Sequence, residues 1–194
     1  MKHVMIDLET LSTDPDAAFI SIGACQFDPD EGKIYKLNFY TLINWKSAMK
    51  GRSVSASTLQ WWLKQDREAI KGIMDSGSSP GLKQALMWLS DWFPTGSMVW
   101  SNGANFDLPI LEHAYTQYEI EQYIPWKYHD TRDVRTICAL VEGMIDRKDY
   151  PFKGTPHNAL DDAIHQAEYV CDMWRTIRRS LRHSLGQGRN QQSI

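Results

Sequence analysis

The 194-residue chain contains only three cysteines, set far apart at Cys25, Cys138 and Cys171. An odd number at that spacing excludes a disulfide framework and a cysteine-rich zinc site, and predicts reduced thiols among apolar neighbours. No apolar run reaches the roughly 20 residues that a membrane-spanning helix requires. A basic-then-apolar leader is also missing, so no membrane partner is expected and the cytoplasm is the expected compartment. There is no excess of positive charge either: the net value is −3, which does not advertise nucleic-acid binding. The charge is not spread evenly along the chain. From Arg175 onward the chain carries Arg178, Arg179, Arg182 and Arg189 but no Asp or Glu. Such a basic end reads equally as a phosphate-facing patch or as a solvated helix end that suits the macrodipole.

What is present is ample material for a core. Hydrophobic residues make up 42% of the chain, including eight tryptophans, which excludes disorder and fits one compact domain. We place that domain at residues 1–183, with a polar, flexible tail at 184–194. Lys2–Asp7, Ala18–Asp28 and Lys33–Ile43 read as strands, and "DPDEG" between the last two is hairpin-turn chemistry. An antiparallel meander of three strands follows. Helices are expected in "SASTLQWWLKQ" and "PGLKQALMWLSDWF", then at about Phe106–Glu121, Thr131–Glu142 and Ala159–Leu181. "SMVWSNG" reads as a buried strand and "KYHD" as an edge strand. Strands first and alternation afterwards give an α/β fold with a mixed sheet flanked by helices.

The first strand ends in "VMIDLETLS", which places Asp7 and Glu9 one residue apart. Side chains two apart on a strand share a face, so both carboxylates project together and repel unless a cation or a proton lies between them. Asp107 in "SNGANFDLPIL" falls in the first turn of a helix, with Asn105 as its expected cap. "HNALDDA" opens the last helix with Asn158 as cap, His157 just before it, and Asp161 and Asp162 in the first turn. Alone, an acid in a first helical turn is an ordinary dipole partner. The ordered set is less ordinary.

An acid pair ending the first strand, an acid after a middle strand and a His-x4-Asp at the last helix resemble the DEDDh branch of the DnaQ-like 3′-5′ exonucleases. "MIDLET", "WWLKQ", "NGANFD", "DTRDVRT" and "HNALDDA" are similar to the small stand-alone exonucleases of bacteria and their phages, including exonuclease VIII-like proteins and a mycobacterial exoribonuclease. The resemblance implies a ribonuclease H-like fold with a five-stranded mixed sheet. It implies Asp7, Glu9, Asp107 and Asp162 as metal-binding acids, with Asp7 shared between two ions, and His157 as general base. Asp161, rotated about 100° from Asp162, is left as a cap or supporting acid. One departure is "WSNGA" ahead of "NFD", where many relatives have His-Asn-Ala; it touches none of the acids.

The chemistry accounts for these residue types. Two divalent ions about 3.5–4 Å apart can activate water on one side of a phosphodiester and support the leaving oxygen on the other. Hard carboxylate ligands suit Mg²⁺ or Mn²⁺ and suit zinc poorly. His157, with an ordinary pKa near 6.5, can take a proton near neutrality. Its loop position predicts a ring that swings in with substrate and is turned away without it. Thr10 and Leu11 are expected to contact the terminal nucleotide, Trp61 to stack on a base, and Arg132 to bind phosphate. Trp61 and Trp62 read equally well as core. The partner expected is a nucleic acid with a free 3′ end, single-stranded or frayed, and a homodimer is expected by resemblance alone. Two alternatives on the same fold are a ribonuclease H-like endonuclease and a non-catalytic nucleic-acid-binding module.

Overall fold

The structure, a computed structural model, describes residues 2–74 and 77–190; for Gly72 and residues 184–190 only the backbone is described. The first strand, β1 (His3–Thr10), runs past the Asp7 end expected from its apolar run and carries both acids. Its side chains alternate between two cores. Val4, Ile6 and Leu8 enter one, and Met5 enters the other. Asp7 and Glu9 continue the Met5 side, as a period of two requires.

The second and third strands, β2 (Phe19–Asp28) and β3 (Lys33–Leu42), form the expected meander. The Asp28 carboxylate accepts from the N–H groups of Asp30 and Glu31 at 2.9 and 3.1 Å. Gly32 then turns the chain with φ +67°, a conformation that favours a residue without Cβ. β4 (Met98–Ser101) and β5 (Thr131–Asp133) complete the sheet. The strand order is β3-β2-β1-β4-β5, antiparallel from β3 to β1 and parallel from β1 to β5.

The helices are α1 (Trp45–Ala48), α2 (Ala56–Trp62), α3 (Arg67–Met74), α4 (Leu82–Trp92), α5 (Asp107–Gln117), α6 (Val134–Leu140) and α7 (Ala159–Asn190). One face of the sheet packs on α2 to α5 through Trp62, Ile73, Leu86 and Leu111. The opposite face packs on α6 and α7 through Ile137, Ala163, Ala167 and Val170. Each fully buried large aliphatic side chain contributes about 1.5–3 kcal/mol.

Several local expectations need correction. The edge strand is not "KYHD": Tyr128–Asp130 is a 3-10 turn, closed by the Lys127 N–H donating to the Asp130 carboxylate at 2.9 Å. The strand follows it, within the stretch assigned to the next helix. Asp133 ends the strand because its carboxylate caps α6, accepting from the Thr136 N–H at 2.8 Å. Helices α1 and α3 were not expected, and α5 starts after Phe106 without a side-chain cap from Asn105.

The last helix continues to Asn190, into the stretch assigned to a tail, and residues 191–194 lie outside the described residues. Its basic run is partly internal. Arg175 pairs with Asp172, Arg178 pairs with Asp30 at 3.2 Å, and Trp174 Nε1 donates to Asp30 at 3.0 Å, tying α7 to the β2–β3 turn. Among the described residues no helix is long and apolar enough to cross a membrane. All three cysteines are free, Cys25 and Cys171 buried and Cys138 half-buried.

Candidate active site

Asp7 lies opposite Gly23 in the β1–β2 ladder, and Glu9 lies opposite Ser21. That register brings the start of α7 onto the acid pair. A Cβ built on Gly23 would lie 2.1 Å from the Ala159 carbonyl carbon and the Leu160 nitrogen, so only glycine lets the helix backbone come this close. Asn158 caps the helix as expected, its Oδ1 accepting from the Leu160 and Asp161 N–H groups at 3.1 and 3.3 Å. Asp162 and His157 therefore come to the end of β1. Ligand atoms of Glu9, His157 and Asp162 all lie within 4.8 Å of one another. The imidazole is already in the site, contrary to the expectation that it would be turned away.

Asp107 arrives from the other side. The turn between β4 and α5 is tightened by the Phe106 N–H bond to the Gly103 carbonyl at 2.8 Å. The Ala104 N–H is held by Asp133 at 3.0 Å. Asp107 then enters the first turn of α5, only 3% exposed. Glu9 is buried too, while Asp7 keeps a partly open face.

Crowding of like charge shows in the proton affinities. Desolvation first, then the charges of Asp107, Glu9 and Asp162, hold Asp7 well above the carboxylate range. Desolvation, then Asp162 and Asp107, do the same to Glu9. Burial pushes Asp107 up to about 7 and Asp162 up to about 6, against partial relief from nearby hydrogen-bond donors. Burial pushes His157 the other way, below 6.5, so it favours the neutral ring.

The donor set fits hard cations. None of the described ion pairs involves Asp7, Glu9, Asp107 or Asp162. Asp162 Oδ2 is buried with no hydrogen-bond partner, which is costly unless something else satisfies it. Sequence reasoning missed Gln166, a polar partner of Asp7, whose Nε2 donates to Asp7 Oδ1 at 2.8 Å. Its position four residues after Asp162, on the same helical face, was the available signal.

A cleft of about 420 Å³ opens beside Glu9, lined with Thr10, Ser57, Thr58, Trp61 and Trp62. Trp62 is core, its Nε1 donating to the Thr10 carbonyl at 2.9 Å. Trp61 is 43% exposed and stands edge-on to His157 with 4.8 Å between ring centroids. Leu11 does not reach the cleft. It is packed in the core, and its N–H and carbonyl bond to Ala18 and Ser55. Arg132 is likewise occupied, donating to the carbonyls of His129 and Thr131 at 2.9 and 2.8 Å. The arginine at the site's edge is Arg135, exposed, with its guanidinium over Gly103 and its charge felt at Asp107.

In sequence and fold the chain is similar to known nucleases. Residues 2–174 match the model of the 3′-5′ exoribonuclease Rv2179c-like domain. The exodeoxyribonuclease of Enterobacteria phage T4 is 25% identical, over 96% of this chain and 92% of the relative. The nuclease domain of 3′hExo, a DEDDh family member bound to rAMP, superposes with a TM-score of 0.62 at 13% identity, covering 90% of this chain and 92% of that one. E. coli Exonuclease I in complex with a dA16 oligonucleotide gives 0.64 at 12% identity, over 90% of this chain and 42% of that larger one. The sheet is thus the mixed, ribonuclease H-like sheet of these enzymes. The chain belongs to the Rv2179c-like 3′-5′ exoribonuclease domain family and is a 3′-5′ exonuclease.

Proposed function

We propose that this exonuclease removes nucleoside 5′-monophosphates from a free single-stranded 3′ end, using two divalent cations and His157 as general base. The observation that carries the reading is the meeting of Glu9, His157 and Asp162 within 4.8 Å, beside the like-charged Asp7 and Asp107. Asp7, Glu9, Asp107 and Asp162 would hold the ions, and their oxygen donors favour Mg²⁺ or Mn²⁺. When bound, such ions offset the phosphodiester's charge and make water a stronger nucleophile.

The chain's own residues supply the rest. His157, kept neutral by burial, accepts the proton of the attacking water. Gln166 orients Asp7 by its hydrogen bond. Thr10 and Trp61 line the cleft that receives the terminal nucleotide, where the exposed indole can stack on a base. Arg135, rather than Arg132, faces the strand's phosphate. The matched family is one of exoribonuclease domains and the phage relative is an exodeoxyribonuclease, and a free 3′ end is common to RNA and DNA.

A cytoplasmic setting, suited to three free thiols, and a homodimer belong to the same proposal. The edge strand β3, ten residues long, offers a second copy a row of backbone groups, and sedimentation analysis tests that dimer. The function itself is tested with 5′-labelled single-stranded RNA and DNA in Mg²⁺ and Mn²⁺, with and without a 3′ block. A ladder shortening from the 3′ end and absent on blocked strands is expected. Internal cleavage of blocked strands would favour the endonuclease alternative, and binding without products would favour the non-catalytic one.

A further inference from the structure

His157 has a backbone that histidine rarely adopts. Its φ is +63°, in the left-handed region. The Asn158 N–H bonds back to the Thr155 carbonyl at 3.1 Å, closing a four-residue turn with Pro156 and His157 at its centre. Proline fixes a negative φ before a positive one, which is the pattern of a type II turn, whose third position ordinarily takes glycine. A side chain there strains the backbone. The turn persists only if its surroundings hold it.

Two acids of α7 hold it: the Asp162 carboxylate faces the His157 N–H, and its neighbour Asp161 grips the residue that opens the turn. Asp161 Oδ2 accepts the Thr155 N–H at 2.8 Å, reaching back from the first turn of α7 to the residue that opens the turn. Gly154, just ahead, has φ +98°, and a Cβ there would lie 2.5 Å from the Asp161 carboxylate. The segment before the histidine is thus shaped around this one carboxylate. The imidazole also packs T-shaped with Trp61 and Trp62, at 4.8 and 6.0 Å between centroids. Those rings limit how far it can swing but leave its backbone free.

We infer that Asp161 is a positioning residue: its carboxylate, clamping the Thr155 N–H, keeps the strained turn closed and so holds the His157 ring between Glu9 and Asp162. The inference rests on the reading of His157 as general base. Asp161 itself is directed at the loop rather than at the reacting atoms, so its loss should disturb turnover and leave cation binding in place.

The test is steady-state kinetics, with Mn²⁺ titration calorimetry and melting curves, on Asp161→Ala, Asp161→Asn, Gly154→Ala and His157→Asn. Asp161→Ala is expected to lower kcat about 10- to 100-fold, the usual effect of a small misplacement of a reacting group. KM and Mn²⁺ affinity should stay within about twofold. Asp161→Asn keeps an oxygen acceptor for Thr155 and should recover most of kcat. Gly154→Ala, which drives a methyl into the carboxylate, should repeat the Asp161→Ala defect. In a His157→Asn background, Asp161→Ala should add nothing, because the two changes remove the same function. Wild-type kcat in Asp161→Ala, failure of the Asn variant to recover it, or a full further loss in the His157→Asn background would overturn the positioning role. Near-normal turnover in His157→Asn alone would instead overturn the base assignment, which keeps the two failures distinct.

Discussion

Gly23 and Ala159 are in backbone contact: any side chain on Gly23 would enter the start of α7, 2.1 Å from the Ala159 carbonyl carbon. Because Gly23 is also the ladder partner of Asp7, this one contact sets how near Asp162 and His157 come to the acid pair.

Gly23→Ala therefore should push α7 off the sheet. Overpacking a rigid contact typically costs about 1–3 kcal/mol, and here the clash is with backbone. We expect a lower melting temperature and exonuclease activity reduced by more than the stability loss explains. Unchanged melting and turnover would show that the helix start tolerates displacement.

The raised carboxyls make a prediction about pH with a definite sign. Asp107 moves from 3.8 to about 7 and Asp162 to about 6 on folding. Between the ordinary and the folded values the unfolded chain has lost protons that the folded one keeps, so the metal-free protein loses stability as pH rises from about 4 to 7 and does not regain it above. Melting in EDTA should fall over that range, and Mg²⁺ or Mn²⁺ should restore it most at pH 8. Asp107→Asn, which removes one buried charge, should stabilise the metal-free protein at pH 8 by on the order of 1–4 kcal/mol while abolishing activity. A destabilised Asn variant would contradict the repulsion.

The acid pair was legible because a strand's period of two puts Asp7 and Glu9 on one face, and Asp162 was singled out because its place five residues after His157 matches the spacing of the family that the chain resembles. Gly23 was not, since the reason for it lies in an element far along the chain that packs on it only after folding. The edge strand was misplaced because Thr131–Asp133 read as the first turn of the next helix, whereas Asp133 ends β5 and caps α6. Arg132 was preferred for phosphate without the strand-to-helix change after it, which leaves Arg132 bonded to nearby carbonyls and Arg135 exposed. Leu11 was expected at the terminal nucleotide because it follows the acid pair, as in the family that the chain resembles, yet its side chain is packed in the core.

That change of assignment is testable. Arg135→Ala should raise KM several-fold, steeply dependent on salt, with kcat little altered, since a lost phosphate contact weakens binding and its salt slope. Arg132→Ala should affect melting more than KM, because its guanidinium holds the carbonyls of His129 and Thr131. The opposite pattern would return the phosphate role to Arg132.

His157→Asn separates catalysis from folding. Asparagine tolerates the left-handed backbone better than histidine, so the variant should melt at the same temperature or higher. Turnover should fall about 10²- to 10⁴-fold, the usual contribution of a general base. Oligonucleotide binding in the presence of a divalent ion should persist. Near-normal turnover would remove His157 from the base role.

Calorimetric titration of Mn²⁺ into the wild-type protein and Asp7→Asn, with exonuclease turnover measured on the same samples, bears most directly on the gathering of distant acids around cations. Saturable binding in the wild type, with affinity and turnover lost together in Asp7→Asn, is the result expected. An Asp7→Asn isotherm superimposable on the wild-type one, or activity that survives the substitution, would contradict it.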